Sequence, residues 1–415
     1  MHIRDRTLGI DIDLTNPTVW SNPYPMYTWL QQAAPLVRCR QPFIGQAWMA
    51  TRFEDVSTVL KDNKRFKSRP RRADGRPPRF ERLLPRVVRT FNQSMVTADD
   101  HDHRRLRSLV AKAFTPARID LLEVRIEAIT GELLDRAAAR GGTFDLMDDF
   151  ARPLPLRIIS ELLGVERHEQ TYFHDAIQTL IADQSEWALL YQLPTYHGLY
   201  RFFERMFERK RAYPTDDLTS ALIAVEQDHE RLSPDELMSM VVLLLFAGHE
   251  TTVNLIGNGT LALLEHPEQL ERLRDDPSRI PSAIEEMLRY DSPAQFPATR
   301  FVAQTCTLGS ARLEPGDKIL PLLGAANRDP RAFEDPDAFD IGRAPNRHVA
   351  FGAGPHFCIG AHLSRFEGRI AFSRLLERFA SLELAVDRPR LQWRTKVSGL
   401  RGLKALPVRA TTSNR

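Results

Sequence analysis

The stretch Phe351-Gly-Ala-Gly-Pro-His-Phe-Cys-Ile-Gly360 places one cysteine among three glycines and two aromatic residues. A metal-bound thiolate is stabilised by backbone N–H donors, and glycines allow the tight turns that bring such donors to a sulfur. An aromatic side chain such as Phe351 shields the sulfur, and the helix predicted after Cys358 directs its N-terminus towards it. The stretch therefore predicts Cys358 as a thiolate ligand of iron; the alternative is a buried structural cysteine in a glycine-rich loop.

The rest of the composition fits a soluble globular protein. The 415 residues are 42% hydrophobic and 27% charged, and the net charge is only +3. A charge so close to zero argues against a nucleic-acid binder. The three cysteines, Cys39, Cys306 and Cys358, are far apart in the sequence. They indicate neither a disulfide framework nor a zinc site, and they fit a reducing cytosol.

Two further patterns bear on localisation. The longest apolar run, from Val241 to Ala247, is much shorter than the ~20 residues that cross a bilayer. The residues from Met1 to Arg6 are polar, unlike the apolar core of a signal peptide. We expect a cytoplasmic protein with no membrane anchor.

The periodicity of apolar residues predicts a mainly α fold with a small β portion. Ser233-Pro-Asp-Glu236 is a capping box, and the helical pattern that follows runs to His266-Pro267, about 33 residues or roughly 50 Å. Other helices are expected over 102–140, with a break near Pro116, and over 155–225, 282–290 and 360–380. Short strands are expected near 36–49, 299–322 and 381–408. With no linker or repeat, residues 1–415 are expected to form a single domain.

A second motif, Phe246-Ala-Gly-His-Glu-Thr-Thr252, lies in the middle of the long helix. Gly248 leaves space where a ligand could approach. Glu250 and Thr251 place an acid beside an alcohol in an otherwise apolar helix. Alone, the motif also fits a polar kink in which threonine bonds to the preceding turn and Glu250 faces solvent.

Together these motifs resemble the cytochrome P-450 family, soluble bacterial type, and the resemblance extends over nearly the whole chain. It implies a haem b between the long central helix and the cysteine loop. Cys358 would be the proximal iron ligand, which favours O–O cleavage. Glu250 and Thr251 would be catalytic, with the alcohol hydrogen-bonding dioxygen and the acid supporting proton delivery.

The resemblance also assigns roles to residues that carry weak signals alone. His103, Arg107, Arg300 and His356 match the family's contacts to the haem propionates, which cationic donors suit; taken singly, each fits a surface cation. Glu286 and Arg289 share a helix face and, with Arg343, match a structural ion-pair cluster. His348 is expected to be structural.

The substrate is expected to be a hydrophobic small molecule. Its pocket would be lined by seven residues, Leu243, Leu244, Ala247, Gly248, Phe296, Val397 and Leu400. Residues 64–90 are expected to be mostly loop. Eight arginines occur between Arg69 and Arg89. They fit a solvated surface, and alternatively the attraction of an acidic substrate or carrier protein.

The predicted reaction is insertion of one oxygen atom from O2, by hydroxylation or epoxidation. Because the chain has no Gly-x-Gly-x-x-Gly motif, electrons are expected from a separate partner. The resemblance to bacterial members implies that this partner is a ferredoxin with its ferredoxin reductase. Arg104, Arg105 and Arg347 could contact the ferredoxin, or simply form a solvated surface. The protein is expected to be a monomer. Two alternatives are a peroxide-using haem-thiolate enzyme, against which the Glu250–Thr251 pair argues, and a non-catalytic haem sensor or carrier.

Overall fold

The structure is a computed structural model of the chain, and it describes residues 9–10, 17–41, 45–69, 94–182, 188–227, 230–394 and 399–413. Val397 and most of the arginine-rich segment, from Arg71 to Arg89, lie outside the described residues.

Helices dominate the described chain, as the periodicity predicts. Numbered in chain order, the α-helices are α1 Pro17–Ser21, α2 Tyr24–Ala33, α3 Phe53–Lys61, α4 Asp100–Ala113, α5 Pro116–Asp120, α6 Glu123–Ala139, α7 Pro153–Leu162, α8 Gln170–Ala182, α9 Ala188–Ala212, α10 Leu218–Ala224, α11 Pro234–Glu265, α12 Pro267–Asp275, α13 Ile280–Tyr290, α14 Leu323–Ala326 and α15 Ala361–Arg378. A π-helix occupies Met147–Ala151, and a 3-10 turn occupies Gly354–His356.

The strands are short. They are β1 Gly9–Ile10, β2 Leu36–Gln41, β3 Gly45–Ala50, β4 Phe66–Lys67, β5 Thr143–Asp145, β6 Glu226–Gln227, β7 Glu230–Arg231, β8 Arg300–Val302, β9 Cys306–Leu308, β10 Ala311–Leu313, β11 Lys318–Pro321, β12 Phe379–Leu384 and β13 Pro407–Thr412. One sheet has six strands in the order β1-β2-β3-β11-β8-β4, and another has the order β12-β13-β5. Two-stranded ribbons join β9 to β10 and β6 to β7. The predicted fold class, mainly α with a small β portion, is confirmed.

The chain divides into two compact units. The first unit comprises Met1–Pro70, Thr130–Ala151 and Thr251–Arg415, and the second comprises Arg71–Ile129 and Arg152–Glu250. In the second unit, aromatic side chains of α8 and α9 pack together: the ring of Phe203 lies 6.1 Å from that of Phe173 and 5.5 Å from that of Phe202. Burying such rings stabilises the unit by about 1.5–3 kcal/mol each.

Two apolar clusters of the first unit hold the segment that precedes the cysteine. Val349 is buried in a cluster formed by the six-stranded sheet and α3. Ala350 and Phe351 pack instead against a second cluster, formed by α12, α13, α15 and the C-terminal half of α11. Because consecutive residues are fixed in different clusters, the direction in which the chain enters the cysteine loop is set by packing.

The long helix α11 begins as its sequence predicts. The Ser233 N–H donates to Glu236 Oε2 over 2.8 Å, and the Glu236 N–H donates to Ser233 Oγ over 3.3 Å, which completes the capping box. By length and composition the helix could cross a membrane, but 72% of its most apolar window is buried within the protein. That burial is typical of a core helix.

Two predicted boundaries differ from the structure. The helix expected from residue 282 begins at Ile280, because Pro281 occupies its first turn, where proline is tolerated. Strands expected throughout 381–408 occur only at the two ends of a longer range, as β12 and β13. Among the described residues between them, a 3-10 turn at Arg388–Arg390 interrupts the chain, and its proline cannot donate to a sheet.

Candidate functional site

The cysteine loop, residues 351–360, is closed by its own backbone. The Cys358 N–H donates to the Phe351 carbonyl over 2.9 Å, and the Phe357 N–H donates to the Gly354 carbonyl over 3.0 Å. The Cys358 side chain is half-buried. The backbone of Cys358 is therefore held in place, and the residue is not the fully buried structural cysteine that the sequence left open.

Gly354 shows why the loop contains glycine at this position. Its φ is +70°, a left-handed conformation that other residues adopt at a cost. A Cβ there would lie 2.6 Å from the Leu60 carbonyl oxygen and 2.8 Å from the Lys61 Cα. Both conformation and close approach to the end of α3 thus exclude a side chain.

The helix after the loop adds an electrostatic effect. α15 begins at Ala361, three residues after Cys358, with Gly360 as its N-cap. A Cβ at Gly360 would lie 3.9 Å from the Cys358 sulfur, so the helix begins beside it. The partial positive charge of a helix N-terminus lowers the free energy of a thiolate relative to a thiol.

On α11, an open stripe crosses an otherwise buried helix. Leu243, Ala247 and Thr251, spaced four residues apart on one face, are respectively partly exposed, exposed and partly exposed. Gly248 beside them is also partly exposed. This face therefore carries the exposed and partly exposed residues in the middle of a helix that is otherwise mostly buried.

Glu250 does not face solvent. It is 4% exposed, and its Oε2 lies 3.9 Å from Nδ1 of His249, which is 3% exposed. Nε2 of His249 lies 3.3 Å from the Arg152 carbonyl oxygen. The polar-kink interpretation with a solvent-facing glutamate is therefore wrong for Glu250.

Of the four side chains assigned to the haem propionates, two belong to each unit. In the second unit, His103 and Arg107 lie one turn apart on α4; His103 is 3% exposed and Arg107 is partly buried. In the first unit, Arg300 begins β8 and is 3% exposed. His356 lies within the cysteine loop, and its Nε2 is 3.0 Å from Ser68 Oγ.

The residues assigned to the substrate pocket fall into two groups. Leu243, Ala247 and Gly248 belong to the open face of α11, whereas Leu244 is 7% exposed. Phe296 and Leu400 belong to two segments that pair, since the Gln295 N–H donates to the Gly399 carbonyl over 2.7 Å.

The structure brings the three residues assigned to an ion-pair cluster together. Glu286 and Arg289 are both 0% exposed and make two hydrogen bonds of 2.7 Å. Arg289 also donates to the Pro336 and Ala338 carbonyls, over 2.7 and 2.8 Å. Nε of Arg343 lies 3.2 Å from Glu286 Oε2. The cluster ties α13 to the irregular segment before the cysteine loop.

Comparison with known proteins identifies the family. The family model described as Cytochrome P450 matches residues 16–400. The chain belongs to the cytochrome P450 family. It is 45% identical to cytochrome P450 107B1 of Saccharopolyspora erythraea, over 90% of this chain and 92% of that protein. It is 39% identical to 6-deoxyerythronolide B hydroxylase of the same organism, over 96% and 98%.

A solved structure of the family has the same fold. The cytochrome P450 PksS of the Bacillus subtilis 168 bacillaene polyketide synthase superposes with a TM-score of 0.88 at 37% identity, covering 96% of this chain and 99% of that one. The protein is thus a bacterial cytochrome P450 monooxygenase, an oxidoreductase with haem b as its cofactor.

The residues present fit haem b. The cysteine loop offers a half-buried free cysteine, and the N-terminus of α15 beside it would favour a thiolate. Arg300 is a buried cation, and a guanidinium offers a fork of donors that suits a carboxylate such as a haem propionate. On α11, the exposed Ala247 and the partly exposed Gly248 present little side-chain volume. When bound, haem b supplies the activation of dioxygen.

A second buried acid, Glu367 on α15, escaped sequence reasoning. It is 2% exposed, and burial raises its pKa well above the usual value, although a hydrogen bond with the Thr252 side chain opposes the shift. Glu367 therefore keeps its proton at a pH at which an exposed glutamate would be ionised. Its position nine residues after Cys358 gave no signal, because a glutamate on a helix is usually solvated.

This burial predicts a pH-dependent stability. As pH rises above about 4.5, the unfolded chain loses the Glu367 proton while the folded protein retains it, so the free energy of unfolding falls. In Glu367→Gln that loss is absent. We expect its melting temperature, relative to wild type, to rise between about pH 5 and about pH 8. Glu377 is an exposed residue of the same helix, and in Glu377→Gln the difference in melting temperature from wild type should not change with pH. Equal pH profiles for the two variants would contradict a buried proton on Glu367.

Proposed function

We propose that the protein inserts one oxygen atom from O2 into a hydrophobic small molecule, by hydroxylation or epoxidation, with Cys358 as the haem ligand. The observation that carries this proposal is the open face of α11, where the accessible Ala247 and Thr251 flank the buried acid Glu250. In this proposal residues 1–415 act as one cytochrome P450 domain, since the family match spans both units.

Each site residue then has a distinct task. Thr251 would donate a hydrogen bond to dioxygen, and Glu250 would support proton delivery through water. Arg300, His356, His103 and Arg107 would hold the haem propionates. Glu286, Arg289 and Arg343 hold the segment before the cysteine loop. The apolar residues Leu243, Phe296 and Leu400 contact the substrate and exclude water.

The apolar residues assigned to the pocket and the names of the relatives support a proposal for the substrate class. A relative 39% identical is named a 6-deoxyerythronolide B hydroxylase, and the PksS structure is assigned to a polyketide synthase. We therefore propose that the first class of compound to test is the apolar products of polyketide synthases, such as 6-deoxyerythronolide B.

Electrons would come one at a time from a ferredoxin and its reductase, with the protein a cytoplasmic monomer. Among the basic residues considered for ferredoxin contact, Arg347 and Arg104 are exposed. Arg105 forms an ion pair with Glu236, which makes it a weaker candidate. The Glu250–Thr251 pair favours dioxygen over peroxide as the oxidant, and it would have no use in a sensor or carrier.

The proposed reaction can be tested with isotopically heavy dioxygen. Hydrophobic compounds, including 6-deoxyerythronolide B, are first screened for a shift of the haem absorption. Compounds that bind are then incubated with protein, ferredoxin, reductase and heavy dioxygen. The proposal predicts one heavy oxygen atom in the product. A product formed only with added peroxide would favour the peroxide-using alternative, and binding without any product would favour the sensor or carrier.

A further inference from the structure

Glu285, the neighbour of Glu286 on α13, faces a different set of partners. Arg365 of α15 donates to its carboxylate with both ends of the guanidinium, from Nε to Oε1 over 2.6 Å and from Nη2 to Oε2 over 2.8 Å. Such a bidentate pair fixes the orientation of both side chains. It therefore joins α13 to the helix that follows the cysteine loop.

His348 supplies a third donor from the segment before the loop. Its Nδ1 accepts a hydrogen bond from the Ala350 N–H over 3.2 Å, which leaves the ring proton on Nε2. Nε2 then donates to Glu285 Oε2 over 3.1 Å, and the side chain is 2% exposed. Burial would raise the pKa of Glu285, but the hydrogen bonds from Arg365 and His348 outweigh it and bring the pKa to about 2.

Arg365 also contacts the first residue of the cysteine loop. Its guanidinium carbon lies 4.5 Å from the centroid of the Phe351 ring, within the range of a cation–π contact. The Phe351 carbonyl accepts the hydrogen bond from the Cys358 N–H. Phe351 is therefore held by Arg365 on its side chain while its backbone holds the cysteine.

Arg365 places a positive charge against the cysteine loop. The hydrogen bonds with Glu285 raise the pKa of Arg365, so its guanidinium stays charged where it packs on the Phe351 ring. A cation beside a thiolate ligand would favour its negative charge. The Glu285 carboxylate opposes this by neutralising the cation.

We propose that Glu285, His348 and Arg365 form a clamp that positions Phe351 and the Cys358 peptide and sets the electron-donating strength of the thiolate. These are positioning residues, since each acts through Phe351 and the cysteine loop and not on the reacting atoms. The clamp rests on the assignment of Cys358 as the haem ligand. It differs from the Glu286–Arg289–Arg343 cluster in contacting the cysteine loop itself.

Two variants test the clamp on the purified haem protein. Arg365→Gln and Glu285→Gln both break the bidentate pair. In both, the reduced carbon monoxide complex should lose its thiolate band about tenfold faster than in wild type, the change expected for a charge-assisted hydrogen bond worth about 1.5 kcal/mol. The midpoint potential of the iron separates position from charge: it should fall in Arg365→Gln, which loses a cation, and rise in Glu285→Gln, which loses an anion.

Controls make each outcome decisive. Arg374→Gln, on the exposed side of the same helix, should change neither quantity. Should Arg365→Gln fail to fold, His348→Leu, which removes only the third donor, should still accelerate loss of the band. The proposal would be overturned if every clamp variant kept the thiolate band as long as wild type does. It would also be overturned if the midpoint potential moved in the same direction in Arg365→Gln and Glu285→Gln. A wild-type protein without a thiolate band would instead refute the ligand assignment.

Discussion

Replacing Arg289 by lysine is expected to lower the free energy of unfolding by about 3–5 kcal/mol, the cost of breaking a fully buried ion pair. Lysine cannot reproduce the two hydrogen bonds to Glu286 together with those to the Pro336 and Ala338 carbonyls. Glu286 would keep a buried charge without its fork of donors. Denaturant unfolding monitored by circular dichroism measures the change.

The matched control is Arg272→Lys. Arg272 pairs with Asp340 over 2.9 Å in the same unit, but the two side chains are 43% and 44% exposed. Exposed pairs contribute at most about 1 kcal/mol. Equal effects of the two substitutions would mean that burial of the Glu286–Arg289 pair is not what stabilises this region.

In Thr251→Ala, consumption of dioxygen and reductant should continue, while product formed per dioxygen falls at least about tenfold. The reason is the loss of a hydroxyl donor where protons must be delivered, a contribution worth roughly 10²–10⁴-fold in acid–base catalysis. Glu250 lies next to position 251 and is 4% exposed. The variant would therefore keep this acid as a proton source but lose the neighbouring hydroxyl. Simultaneous measurement of dioxygen, peroxide and product gives the coupling directly.

Two further threonine variants separate chemistry from packing. Thr251→Ser keeps the hydroxyl and should recover most of the coupling. Thr260→Ala removes a buried threonine from the same helix, 1% exposed, and should leave the coupling unchanged. A fully coupled Thr251→Ala protein would contradict the role of Thr251 and reopen the peroxide-using alternative.

Local sequence signals predicted much of this structure. The capping box of α11 is a contact between residues three apart, so the sequence Ser233 to Glu236 predicts it directly. The tight turn at Gly354 could be predicted because a left-handed backbone conformation excludes most residues other than glycine. The cysteine loop is similarly local, with every feature inside ten residues.

What could not be predicted depends on partners distant in sequence. The clamp joins Glu285, His348 and Arg365, and each of these residues alone is typical of a solvated helix or loop. Burial raises the pKa of Glu367, and this burial cannot be predicted from the sequence of its own helix. The six-stranded sheet pairs β3 with β11, about 270 residues away, in a parallel register that no local pattern specifies.

The carbon monoxide difference spectrum of the reduced protein tests the central assignment most directly. Wild type and Cys306→Ser, which alters a partly exposed cysteine outside the loop, should both show the band of a thiolate-ligated haem. Cys358→Ser should lack that band, because serine offers no thiolate to the iron. A Cys358→Ser protein that retained the band would contradict the assignment of Cys358 as the ligand.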